Sequence, residues 1–466
     1  MPGDNELEAI ESLKHYHLPI MCLHDTDRAF ERQYNKNGWP FMLLADRAGE
    51  VVYSANGLLG REWDKVTPLI DGLLADPVDV QPVVRDGVPY MPATLERSGE
   101  TEKAGQCDRF PAIACGPDGR VYLAFTSNRN GNSDVFLRVF DGNAWGEDLP
   151  LAATQADEYN PAALVDAQGS LRLAWIGDAE AGHYNVFAAT VVDPRAPIEP
   201  VCVTDAEDDA MRPGLACDAA GRVWLSYYKW AKMKGISRDK EVYARHTDGA
   251  GWSDEIHISP DDVPSYEDHT DPAVAACGDG VIVAWSWDFH KPKGYTQEAH
   301  SPTIFVRTAN AEGASGKSRA VSGPNIESLP SVAVDKAGRV WCAWSSVDRS
   351  GGKSVCAAAF DLSSSETPGA GDSISQPRKN VCTPRLAIAP DGKVTLVWAE
   401  LDETGAWSLQ RADCQDGKWG APQTLVTEGQ PRFPAAAYDT QGRLWVAYST
   451  EDANGRCAIA TSFPLE

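Results

Sequence analysis

The stretch Phe433-Pro434-Ala435-Ala436-Ala437-Tyr438-Asp439-Thr440-Gln441-Gly442-Arg443-Leu444-Trp445-Val446-Ala447-Tyr448 decides the fold. It reads as strand, tight turn, strand, with Asp-x-x-Gly supplying the turn. The same unit recurs seven times, on Pro111, Pro161, Pro213, Pro272, Pro330, Pro384 and Pro434. A glycine follows each proline by eight residues: Gly119, Gly169, Gly221, Gly280, Gly338, Gly392 and Gly442. An aromatic closes each second strand: Phe125, Trp175, Tyr227, Trp285, Trp344, Trp398 and Tyr448. The prolines stand 50 to 59 residues apart. Chance does not hold a spacing of eight seven times over, so this is an internal repeat.

Third strands follow at Val135–Val139, Val186–Ala189, Val242–Ala244, Ile304–Arg307, Val355–Ala359, Trp407–Arg411 and Cys457–Thr461. Several units then run Asp-Gly to Trp, as in Asp141-Gly142 to Trp145, Asp248-Gly249 to Trp252 and Asp416-Gly417 to Trp419. The aspartate and glycine make a turn into a fourth strand, and the tryptophan is expected to pack between units. Four strands per unit and seven units predict a seven-bladed β-propeller over residues 78–466. The last unit runs out after its third strand, so a strand near Tyr90–Leu95 is expected to close the ring.

The repeat overrides the length prior of about three domains for 466 residues. A net charge of −25 argues against a sequence-independent grip on nucleic acid. No run of 18 apolar residues marks a membrane helix, and the acidic start Met1–Glu8 does not read as a signal peptide. The expectation is no nucleic acid, no membrane and, by default, the cytoplasm. The 11 cysteines include no Cys-x-x-Cys. Those on first strands, Cys115 and Cys217, read as small buried hydrophobes.

Residues 1–77 lie outside the repeat. Helices are expected at Glu6–Tyr16, Asp27–Asn35 and Arg61–Ala75, and a strand at Leu18–Leu23. Gly38-Trp39-Pro40-Phe41-Met42-Leu43-Leu44-Ala45-Asp46-Arg47-Ala48-Gly49-Glu50-Val51-Val52-Tyr53 reads as a proline-led hairpin. This stretch resembles the C-terminal half of a thioredoxin-like (redoxin) domain. The resemblance implies that Pro40 matches the family's cis-proline facing the redox cysteines. The half carrying Cys-x-x-Cys would lie before residue 5, and nothing in this sequence supplies it. The half-domain is therefore expected either to be a piece of a longer chain or to cover its open sheet edge on the propeller or a second copy.

The blade pattern, Pro-x-x-Ala-x-Asp-x-x-Gly-Arg-Val-Trp-x-Ala-Trp with a later Asp-Gly-x-x-Trp, resembles the sialidase-like, Asp-box group of propellers. The strict Ser/Thr-x-Asp-x-Gly-x-x-Trp is absent; the unit at Asp248 is a degenerate version. The resemblance implies a propeller, and a glycosidase only where three arginines, a tyrosine and a glutamate converge.

Topology points to one end of the channel. The residues just before each repeat proline and the loops after each second strand are expected to share that mouth. Blades 1 and 2 offer Arg109, Tyr159 and Asn160; blade 3 offers Arg212 and Trp230. Blade 4 offers Asp268, His269, Asp271, Trp287, Asp288 and His290, and blade 7 offers Arg432. Blade 3 also carries the one basic cluster, Lys229 to Lys240. Aromatics beside Asp and His suit a sugar, and a basic loop suits an acidic peptide. His269, Asp268, Asp271 and His290 lack diagnostic metal spacing, so no metal or cofactor is expected. Three functions follow. The first is a non-catalytic module binding a carbohydrate or a protein at the mouth. The second is a piece of a thiol–disulfide oxidoreductase. The third is a sialidase-like glycoside hydrolase, which needs two carboxylates with separated pKa values.

Overall fold

The computed structural model describes residues 107–465 except 179–182, 206–208, 232–238, 250, 260–266, 290–301, 324, 349–350, 365–370, 379 and 452–456. Earlier in the chain it describes only the strands Phe41–Ala45, Val51–Asn56, Val83–Arg85 and Val88–Tyr90. Two compact units result, one holding most residues up to Glu102 and one running from Lys103 to Glu466.

The larger unit is a seven-bladed β-propeller. Blade 1 is Asp108–Cys115, Val121–Ser127, Asp134–Phe140 and Leu149–Ala152, paired in that order and antiparallel. Blades 2 to 6 repeat this meander, and the sixth carries an added strand pairing, Gln423–Val426 on Trp407–Gln415. The innermost strands touch in sequence around the ring, and that of blade 7, Arg432–Tyr438, returns to that of blade 1. Each blade is mostly second-strand core: Val121–Ser127 and Val394–Leu401 are buried along their whole length. All seven closing aromatics, from Phe125 to Tyr448, are buried.

The turn aspartates are structural. The Asp439 carboxylate accepts from the backbone of Gln441 and Arg443 and from the Arg443 guanidinium. It also accepts from the Trp445 indole at 3.0 Å. Asp218 serves Arg222 and Trp224 in the same way. One carboxylate thus caps a turn and satisfies a buried N–H six residues on. The outer tryptophans do pack between blades: Trp145 of blade 1 meets Trp445 of blade 7 edge-on at 5.9 Å, and Trp419 meets Trp341 at 6.0 Å.

Every inner strand breaks its register at the repeat proline. The residue before each proline (Phe110, Asn160, Arg212, Asp271, Leu329, Thr383, Phe433) holds a φ between 45° and 58°. An inner strand is an edge strand, so proline costs it no ladder donor. The left-handed residue makes a bulge, which bends the strand and re-aims the side chain. Seven side chains are thereby turned at one level of the channel.

Two expectations fall largely outside the described residues. The last blade has three strands among the described residues, Arg432–Tyr438, Leu444–Glu451 and Cys457–Leu465. Tyr90, expected to close it, pairs with Val83 in a separate hairpin, and residues 91–95 lie outside the described residues. Among the described residues, blades 1 and 7 meet through a parallel bridge between Cys107 and Cys457 and through packing of Phe125, Phe136 and Ile113 against Trp445, Ala447 and Ile459. In the N-terminal unit the hairpin Phe41–Ala45 with Val51–Asn56 forms. A thioredoxin-like sheet is not seen among the described residues; the expected helices and Pro40 lie outside them.

Candidate functional site

The strand pairing fixes which residues share a mouth. Asp108 pairs with Ser127, Glu158 with Gly177, and Glu267 with Phe289. The starts of the inner strands and the ends of the second strands therefore lie on one face. The Asp-x-x-Gly turns are on the other.

At the bulge level the ring has an apolar side and a polar side. Phe110 and Phe433 meet edge-on across the seam between blades 1 and 7, with centroids 5.0 Å apart. On blades 3 and 4, Arg212 Nη1 reaches Asp271 Oδ1 at 3.0 Å. The Ser286 hydroxyl donates to the other Asp271 oxygen at 3.4 Å. Asn160 on blade 2 extends the polar run, which Leu329 on blade 5 interrupts before Thr383 on blade 6. A cation and an anion held side by side offer a hydroxyl-rich ligand both a donor and an acceptor.

Above that level, blades 3 and 4 share a cluster of aromatics and charges. The Lys240 ammonium lies 5.3 Å from the Trp230 ring centroid and 5.9 Å from that of Tyr228. Its backbone N–H donates to Asp268, and its Nζ stands 3.7 Å from the same carboxylate. Trp287 is half-buried and packs edge-on against Phe305. Asp288, next to it, is also half-buried. Lys229 binds Glu255, which also accepts from the Tyr227 hydroxyl at 2.6 Å. The basic cluster read from the sequence is thus charge-paired where it is described, and it is no open cationic patch there.

Several mouth residues support the blades. Tyr159 is buried and its hydroxyl donates to the Met211 sulfur at 3.2 Å. His269 is 2% exposed; its Nδ1 accepts from the Trp285 indole at 2.9 Å. Burial pushes its imidazolium pKa down to about 4, so it is neutral at pH 7. Arg432 pairs with Glu451, and Arg109 donates to the Cys457 sulfur at 3.4 Å. His290 lies outside the described residues. Among the described residues no three His, Cys, Asp or Glu side chains come together as a metal site would require.

The sequence places Glu327, three residues before its proline, at the mouth end of its inner strand, without marking its carboxyl as unusual. It is 1% exposed, and one oxygen accepts from Ser346 at 3.3 Å while the other has no hydrogen-bond partner. Burial pushes it up to about 7. The positions three before each proline (Asp108, Glu158, His269 and Glu327 among them) are all buried, and that periodicity was available in the sequence.

No family model and no curated protein matches the chain. Solved structures do. The chain is similar to a polysaccharide lyase of family PL25, an ulvan lyase, with a TM-score of 0.56, 11% identity, and 78% of this chain and 94% of that one covered. A second structure of that family, bound to -[GlcA(1-4)Rha3S]-, gives a TM-score of 0.53 at 12% identity with the same coverage. NanB sialidase from Streptococcus pneumoniae gives 0.43 at 10% identity, covering 78% of this chain and 68% of that one. At such identities the likeness shows the fold alone.

Proposed function

We propose that the propeller binds a carbohydrate chain at the channel mouth, over blades 3 and 4, without cleaving it. The observation that carries this reading is the Arg212–Asp271 pair. Two adjacent blades aim opposite charges at one level of the channel, each from a bulge, beneath the half-buried Trp287 and Lys240. Rings that stack on a sugar face and paired groups that hold its hydroxyls are what such a ligand needs. The similarity to a propeller solved with a bound saccharide supports the class of ligand by analogy of fold.

Binding is favoured over glycoside hydrolysis by Glu327. Of the mouth-side carboxyls with a raised pKa, Asp134, Glu158 and Glu327, it is the one pushed furthest, as an acid catalyst needs. Yet it is 1% exposed and out of a substrate's reach. The thiol–disulfide reading depends on segments outside the described residues. A protein partner at the same mouth is the competing outcome.

The test is retention on immobilised neutral, uronate-containing and sulfated polysaccharides, with reducing ends assayed in the flow-through. The full chain should be retained on at least one class, Arg212→Met should not be, and no reducing ends should appear. Absence of retention on every class would overturn the proposal. Release of oligosaccharide would convert it to an enzyme.

A further inference from the structure

The ring's seam holds a pair of cysteines that the propeller's packing does not need. Cys107 immediately precedes the inner strand of blade 1, and Cys457 opens the third strand of blade 7. The two are partners in a parallel β-bridge between the first and last blades. Such a bridge sets backbones about 4.8 Å apart, inside the roughly 4.4–6.8 Å span of disulfide-linked Cα atoms. The Cys107 backbone is clamped by the loop of its own blade. Its N–H donates to the Asn128 side chain at 2.6 Å, and its carbonyl accepts from the Asn128 N–H at 3.4 Å.

We propose that Cys107 and Cys457 are an oxidisable pair, forming a disulfide that ties blade 1 to blade 7 and closes the ring covalently. The chemistry around the sulfurs differs from that at the other cysteines. The Cys107 thiol hydrogen-bonds to the Cys457 sulfur, and the Arg109 guanidinium donates to the same sulfur at 3.4 Å. The facing carboxylates are Asp108, bound by Arg129, and Glu451, bound by Arg432. The balance draws Cys457 down to about 6 and pushes Cys107 well up, so Cys107 holds the proton and Cys457 the charge. Burial first, and then the Asp439 charge, push Cys115 up to about 12, which is the behaviour of a structural thiol.

With hydrogen peroxide as oxidant, the step balances. The Cys457 thiolate attacks one peroxide oxygen, the O–O bond breaks, and hydroxide leaves. The resulting sulfenic acid is attacked by the Cys107 sulfur. The S–S bond forms, and the sulfenic oxygen departs with the Cys107 proton as water. Two thiols lose two electrons and two hydrogens, and the peroxide becomes two waters. Cys107, half-buried where Cys457 is buried, marks the way in for a molecule of that size.

The full chain should be treated with hydrogen peroxide at one equivalent, alkylated under denaturing conditions and mapped by mass spectrometry. The expected product is about 2 Da lighter, with the Cys107 and Cys457 peptides linked and an upward shift in thermal midpoint. Its rate should rise with a midpoint at lower pH than an ordinary thiol, which titrates near about 8.5. Arg109→Met keeps both thiols and should slow the reaction about tenfold. Cys107→Ser should leave a sulfenic acid on Cys457 and no link. Linkage scattered over other cysteines, linkage only after unfolding in urea, or a rate that ignores Arg109 would each overturn the proposal.

Discussion

Arg212 Nη1 and Asp271 Oδ1 stand 3.0 Å apart, and the two residues hold φ of 58° and 55°. Each is the residue before its blade's proline. Their strain belongs to the repeat, since all seven equivalents share it. The pairing belongs to blades 3 and 4. Both side chains are about nine-tenths buried, so removing one partner leaves a desolvated charge. Asp271→Ala is expected to lower unfolding free energy by about 3 kcal/mol, measured by urea denaturation. Asp271→Asn should cost less, because the amide oxygen still accepts from Arg212.

Asp439→Ala should destabilise the propeller by about 3 kcal/mol, because it strands the buried Trp445 N–H and uncaps a turn. Asp391→Ala in blade 6 is the contrast. Asp391 is exposed, accepts from the Lys393 backbone, and has Thr395 in place of the tryptophan on the next strand. Less than about 0.5 kcal/mol is expected there.

Glu327 and His269 give stability opposite pH limbs. The Glu327 pKa is raised from 4.5 to about 7. The folded state therefore binds its proton more tightly than the unfolded one, and this contribution is full below pH 4.5 and lost as pH rises through about 7. Glu327→Gln should flatten that decline and stabilise the protein at pH 8. The His269 pKa is lowered from 6.5 to about 4, so its contribution is full above pH 6.5 and lost as pH falls toward about 4. His269→Gln should flatten the acid limb. Thermal midpoints between pH 4 and pH 8 check both.

Trp419→Ala should cost about 2–3 kcal/mol, for it removes the edge-on contact with Trp341 and the apolar bridge between blades 5 and 6. Trp341 fluorescence should redshift as water reaches it.

The propeller was legible because its signals are local and repeated. Pro434, Gly442 and Tyr448 mark strand, turn and strand wherever the unit recurs, and the turn residues and outer tryptophans behave as their chemistry requires. The bulges were less legible, though a proline inside a strand confined to an edge is a cue. The mouth was legible as a face and not as a site. Sequence cannot say that His269 turns toward Trp285 within blade 4, or that Lys240 of blade 3 meets Asp268 of blade 4, because side-chain packing decides both. The Cys107–Cys457 pairing joins residues 350 positions apart, and only the closed ring brings them together. Of the expected closing strand only Tyr90 is described, and it pairs with Val83.

The central claim is that the Arg212–Asp271 pair holds a saccharide. Isothermal titration of a retained polysaccharide into the native chain and into Asp271→Asn, side by side, tests it most directly. The account predicts affinity at least about tenfold weaker in the variant, the loss of one charge-assisted hydrogen bond, with an unchanged far-ultraviolet spectrum. Equal affinity in the two proteins would contradict it.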